Sequence, residues 1–288
     1  MTIAAVLVAL VAAFLYAVAS VAQQRAAGDI SDESAKGLGL FRNLIHRPLW
    51  WAGFVGDFGG YGLQAVALGL GSLLLVQPLL VTALLFALPL GAAFAGRQLA
   101  TSDWTWAVVL TVALAIFVLA GNPTAGVDRA AVPRWLVAAA VILPVVIGCV
   151  LGARVVSGVG RAVLLAVATG VLYGMTAALT KSVISLLGAG LLQVITNWET
   201  YVLIIAASVG TLLQQAAFQA GALEASLPAV TVLEPIVAVT LGLTLMHERI
   251  RANGPEWVLI AIAVAGMVAG TYALSRAAGR IQPVAVRS

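Results

Sequence analysis

The sequence predicts an all-α polytopic membrane protein with about nine transmembrane helices in two inverted repeats. Composition is the first observation behind this. Hydrophobic residues make up 62% of the 288 positions, charged residues 9%, and the mean hydropathy is +1.08. Such a chain cannot bury its apolar surface in one core and keep a wettable exterior, so its solvent must be lipid. The second observation is run length: charges cluster between apolar stretches of roughly 17 to 25 residues, which suit helices crossing about 30 Å of hydrocarbon. Barrel strands would alternate polar and apolar residues in pieces of about ten. The third is self-similarity. At a shift of 157 residues Ala5-Val6-Leu7-Val8-Ala9 falls on Ala162-Val163-Leu164-Leu165-Ala166, Leu15-Tyr16 on Leu172-Tyr173 and Pro78 on Pro235. With two residues inserted in the second copy, Gln64-Ala65-Val66-Ala67-Leu68 matches Gln219-Ala220-Gly221-Ala222-Leu223.

In chain order, the first span is expected over 3–24; with no Lys or Arg ahead of it, it reads as a retained helix rather than a cleaved leader. A short amphipathic piece, Gly39 to Ile45, follows and is too short to cross. Spans 49–69 and 72–95 come next, the former opened by Pro48, whose missing N–H costs nothing at a helix start. Then come 104–121 and 134–152, the latter behind Pro133. The second copy supplies 161–186, a short piece from Gly190 to Ile195, and spans 199–222, 226–246 and 256–275, the last behind Pro255. This divides the chain into a first repeat (1–133), an extra span with its connecting loop (134–160), a second repeat (161–275) and a basic tail (276–288).

Orientation follows from the cations. Ten of the fifteen Lys and Arg (Arg25, Lys36, Arg42, Arg47, Arg97, Arg154, Arg161, Arg276, Arg280 and Arg287) fall on one side. Arg129, Arg134, Lys181, Arg249 and Arg251 fall on the other, so the tail is expected in the cytoplasm and the N-terminus outside. Five spans precede the second copy, and an odd number makes the copies antiparallel.

Ionisable groups in hydrocarbon cost a few kcal/mol, so those that persist usually face a cavity or a partner. Glu234 lies mid-span, followed by Pro235, which loosens the helix. It reads either as a proton- or cation-binding carboxylate or as an acid hydrogen-bonded to a neighbouring helix. Asp57 is similarly deep among Gly53, Gly56, Gly59, Gly60 and Gly62, of which Gly56 and Gly60, at i and i+4, also form a packing face. The repeat sets Gln77 of the first copy against Glu234 of the second, each preceding a proline, Pro78 or Pro235, that would serve gating. Tyr16 with Tyr173 and Gln64 with Gln219 form matched pairs, and Gln214, Gln215 and Thr211 continue the polar path. Lys181 and Glu199, near span ends, are expected to snorkel to the interface. Gly170/Gly174 and Gly266/Gly270 read as packing faces, and His247 as a solvated cap.

Leu233-Glu234-Pro235-Ile236-Val237-Ala238, then Gly242 and His247-Glu248-Arg249-Ile250, resemble the signature of the EamA-like branch of the drug/metabolite transporter superfamily. Trp50-Trp51-Ala52-Gly53, Gly56-Asp57, Tyr61 and Leu75-Val76-Gln77-Pro78-Leu79 are similar to the NIPA-type magnesium transporters of that superfamily. The resemblance implies inverted-repeat helical transport. Typical members have ten spans where nine are read here, and Gln77 and Arg97-Gln98 stand where the second copy has Glu234 and Glu248-Arg249. If the magnesium resemblance governs, Asp57 with Gln64 and Gln77 would offer the hard oxygen ligands that Mg2+ prefers.

Catalysis finds no support: no Ser/His/Asp set, no metal-binding His/Cys spacing and no phosphate loop, and Cys149 is the sole cysteine. No cofactor is called for. The expectation is a secondary transporter in the cytoplasmic membrane of a prokaryote, moving a small metabolite by alternating access with proton coupling at Glu234. A divalent-cation transporter and a non-transporting scaffold or lipid-handling partner remain the alternatives. The partners implied are a small solute or cation and membrane lipids, with a homodimer or membrane-complex partner left open. The net charge of +4 reports orientation, not nucleic acid.

Overall fold

Apolar runs of the length seen here satisfy every backbone group only as helices, and the computed structural model, which describes residues 3–28, 48–94, 96, 98–220 and 223–281, is built from them. The helices are α1 (Ile3–Gly28), α2 (Pro48–Leu70), α3 (Leu73–Leu80), α4 (Ala83–Phe94), α5 (Thr101–Gly121) and α6 (Val132–Val155). After them come α7 (Gly158–Gly188), the short α8 (Leu191–Thr196), α9 (Trp198–Ala220), α10 (Leu223–Thr244) and α11 (Glu256–Ile281). Among the described residues eight helices are long and apolar enough to cross a membrane, α3 and α4 together making one, so this is a multi-pass membrane protein. The glycine-rich α2, 23 residues long and carrying Asp57, is not among the eight.

Two boundaries depart from expectation. The predicted span 72–95 is broken at Val81–Thr82 into α3 and α4. Pro78 brings no N–H to the helix, which costs the Leu74 carbonyl its usual donor, and at the break the chain tightens to i, i+3 bonds. The Val81 N–H donates to the Pro78 carbonyl at 3.2 Å, and the Leu79 carbonyl takes both the Thr82 N–H at 3.0 Å and the Thr82 hydroxyl at 2.6 Å. The last helix runs past 275 to Ile281, so Arg276 and Arg280, expected in a tail, form its final turns. Ala277 and Ala278 are strong helix formers, and cations suit a helix C-terminus. The Gly190 to Ile195 piece is α8, none of it buried; the Gly39 to Ile45 piece, with Lys36, Arg42, Arg47, Arg97 and Arg287, lies outside the described residues.

Close packing at small residues organises the bundle. In α1 Ala5, Ala9, Ala12 and Ala13 are fully buried, and α1 packs most extensively on α2. Most of α7 is enclosed, between α6, α9 and α10. At Gly170 a Cβ would come within 2.8 Å of the Leu233 Cβ, and at Gly270 within 3.0 Å of the Leu110 Cβ, so α10 seats on α7 and α11 on α5 at glycines. One end of the bundle is tied by a two-residue antiparallel ladder, β1 (Pro123–Thr124) with β2 (Arg249–Ile250). Val127 N–H to the Met246 carbonyl, 2.7 Å, extends that tie.

Candidate functional site

A helix presents residues i and i+4 on one face, and α2 and α9 use that spacing identically. In α2, Gly60 leaves room for the Tyr16 ring, which a Cβ there would approach to 3.0 Å, and Gln64 accepts a 2.7 Å hydrogen bond from the Tyr16 hydroxyl. In α9, a Cβ on Gly210 would meet the Tyr173 ring at 2.8 Å, and Gln214 accepts from the Tyr173 hydroxyl at 2.9 Å. Thr211 lies 3.3 Å from the same hydroxyl. A tyrosine held by a glycine and a glutamine one turn apart thus occurs twice. The contacts match Gln64 with Gln214, not with Gln219 as the aligned copies suggest. Gln219 and Gln215 are exposed and hydrogen-bond no described residue. Alignment by residue identity ignores helix face, and the first connection is longer than the second.

The two tyrosines converge on one acid. Both lie within electrostatic reach of Glu234, and Tyr16 is also within reach of Asp57 and Tyr61. Glu234 is half-buried on α10 and makes no hydrogen bond to a described residue, so the acid clamped to a neighbouring helix is not what is seen. The helices are joined there by backbone proximity. A Cβ on Gly174 would stand 2.6 Å from the Val237 Cβ and 2.7 Å from the Glu234 carbonyl oxygen. Asp57 is half-buried on α2, and the Tyr61 hydroxyl sits 2.8 Å from Thr180 on α7, a link between the halves that the sequence did not reveal.

Gln77 is 2% exposed and its Nε2 has no partner among the described residues; it does not bond Glu234. Pro78 and Pro235 do meet, lining one cavity of about 180 Å3 with Leu114, Phe117 and Met267. Its only polar lining comes from Thr240 and Thr271, and Glu234 is not part of it. The carboxylate and the proline cavity therefore occupy different faces of α10. Among the described residues no three His, Cys, Asp or Glu side chains gather into a metal-binding group.

Lys181 and Glu199 do not snorkel. Lys181 is 1% exposed and its Nζ lies 2.6 Å from Glu248 Oε1, while Glu199, equally buried, pairs with Arg129. The segment after α10 folds back over the bundle end, and a lysine already enclosed there needs a counter-ion more than it needs the interface. In the sequence Glu248 stands out only as part of a motif. Its burial depends on that fold-back, and the one local hint is Gly242, where a Cβ would meet Glu248 Oε2 at 2.7 Å.

An uncharacterized protein of Corynebacterium glutamicum is 39% identical to this chain over 273 residues, covering 94% of each. No family model matches the chain. No solved structure matches it.

Proposed function

The chain belongs to one family with that Corynebacterium glutamicum protein, and from this premise we propose that it is a secondary transporter of the cytoplasmic membrane, moving a small metabolite by alternating access with protons coupled at Glu234. In this reading α1 to α5 and α7 to α11 are two inverted copies of the drug/metabolite transporter type, with the C-terminus in the cytoplasm. One observation carries the proposal. A mid-helix carboxylate without a hydrogen bond among the described residues lies within electrostatic reach of two tyrosines, each held in place by its own glycine and glutamine. An unpaired acid in a membrane is costly, and a structural role would give it a partner; a role in loading and releasing a proton or cargo requires that it be left available. With no phosphate-binding loop in the sequence, transport in this reading uses an ion gradient or runs downhill.

The test is uptake by vesicles holding the purified protein, across an imposed pH gradient, from a panel of labelled amino acids, amines, nucleosides and sugars. Glu234→Gln is expected to fold and to lose the pH dependence of any solute moved. Full coupling in that variant would refute the proton assignment. A second reading, a divalent-cation transporter, is favoured by Asp57 and Glu234 both lying within reach of Tyr16. It predicts Mg2+ uptake that Asp57→Asn abolishes, and no Mg2+ binding at millimolar concentration would remove it.

A further inference from the structure

We propose that Lys181, Glu248 and the first turn of α3 form a latch that holds one end of the path shut in this conformation and must part for that end to open. The inference rests on the reading of a path between the copies and adds the device that closes it. Three elements meet at the Glu248 carboxylate. Oε1 takes the Lys181 ammonium of α7 at 2.6 Å and the Leu73 N–H at 2.9 Å, while Oε2 takes the Leu74 N–H at 3.0 Å. Lys181 also donates to the Gly71 carbonyl at 3.2 Å, just ahead of α3. Glu248 itself is hung from α10 by its N–H to the Gly242 carbonyl, 2.9 Å. The cluster thus joins the first half of the chain, through residues 71 to 74, to the second half at two points.

Stability alone does not call for charges here. Taking two ions from water costs several kcal/mol each, which their attraction roughly repays, and apolar side chains of the same volume often hold a core as well or better. An ion pair differs from apolar packing in what happens when water enters. Each partner then recovers its hydration, and the two helix-end amides are solvated too, so the closed dry state and the open wet state lie close in free energy. An apolar plug would gain nothing on opening. Location supports the assignment: the cluster lies at the bundle end also tied by the β1–β2 ladder. An open apolar groove lined by Val163, Pro228, Ala229 and Tyr272 lies toward the opposite end. By the distribution of cations the latched end is the outer one.

The experiment uses the full chain with Cys149→Ser and Thr176→Cys, the latter a near-isosteric reporter on α7. Thr176 lies one turn deeper than Thr180, and its hydroxyl donates to the carbonyl of the site residue Tyr173 at 2.7 Å. The protein is reconstituted in vesicles and exposed on either side to a small membrane-impermeant methanethiosulfonate. With the ion pair intact, the introduced thiol should react from the inner side and slowly from the outer. In the double variant Lys181→Met with Glu248→Gln, which strands no charge, outer-side reaction should accelerate tenfold or more while elution profile and melting temperature show a folded protein. An unchanged outer rate in the folded double variant overturns the latch and leaves the path standing. Failure of the double variant to fold also overturns it, because the pair is then a fixed staple. Silence of the reporter thiol from both sides in every form removes the path itself, and the latch with it.

Discussion

Glu234 owes its significance to what it lacks. An ionised carboxylate tying helices by accepting through both oxygens would lose one acceptor and the charge assistance of the other on conversion to glutamine, and the protein would soften. One left unpaired for function costs stability as it stands. Glu234→Gln is therefore expected to melt in detergent at or above the temperature of the native chain; a clear drop would favour the structural role. Gly174, beside it, is fixed by sterics. A methyl there meets the Val237 Cβ at 2.6 Å and the Glu234 carbonyl oxygen at 2.7 Å, neither of them the free end of a flexible side chain. Gly174→Ala should cost about 1–3 kcal/mol, as overpacking does. Gly148→Ala on α6, where a Cβ would have nothing within 4 Å, should be neutral or gain up to about 1 kcal/mol from helix propensity. Equal effects of the two substitutions in thermal unfolding would contradict this packing account. Glu234, Asp57 and the tyrosines are legible in the sequence because polar atoms stand out in hydrocarbon. Gln214 is not legible as the match to Gln64, because residue identity favours Gln219, and only the shared Gly-x-x-x-Gln spacing of 60/64 and 210/214 holds the clue.

At the scale of elements, nine spans are expected and eight helices among the described residues are long and apolar enough to cross, the glycine-rich α2 falling short. The helices themselves can be read within a few residues, since twenty apolar positions in a row admit few other structures. The break between α3 and α4 cannot, although Pro78 marks it. Whether a proline bends or interrupts a helix depends on the turn that follows it, and here the chain after Pro78 tightens to i, i+3 bonds, Val81 N–H to Pro78 and Thr82 N–H to Leu79, with the Thr82 hydroxyl doubling the second. α10, with Pro228 and Pro235, stays continuous. The Lys181–Glu248 pair is likewise invisible, since a motif at a span end looks solvated until the chain turns back over it. The pair yields a prediction about element coupling. Lys181→Met alone leaves a buried carboxylate without its cation and should cost about 3–5 kcal/mol, whereas removing both charges together should cost less than that single change. A double-mutant cycle by chemical denaturation measures this; additive losses would mean that the two groups do not act as a pair.

For the whole molecule, alternating spans place the connections at 71–72, 122–131, 189–197 and 245–255 at one end. The contacts agree: β1 pairs with β2, the Arg251 N–H reaches the Gly121 carbonyl at 2.9 Å, and Glu248 meets residues 73 and 74. Arg129, Arg249 and Arg251 share that end. The excess of cations at the other end predicts that a fluorescent-protein fusion after residue 288 glows and a periplasmic-phosphatase fusion there is inactive. The reverse pattern would turn the molecule over and make the latched end cytoplasmic. The most direct test of the central claim, that the carboxylate within reach of the paired tyrosines sits on a path reached in turn from both faces, is thiol accessibility at its own position. With Cys149→Ser and Glu234→Cys in vesicles, an impermeant thiol reagent is expected to modify the thiol at position 234 from either side of the membrane. A folded protein whose thiol at that position stays unmodified from both sides would contradict the account.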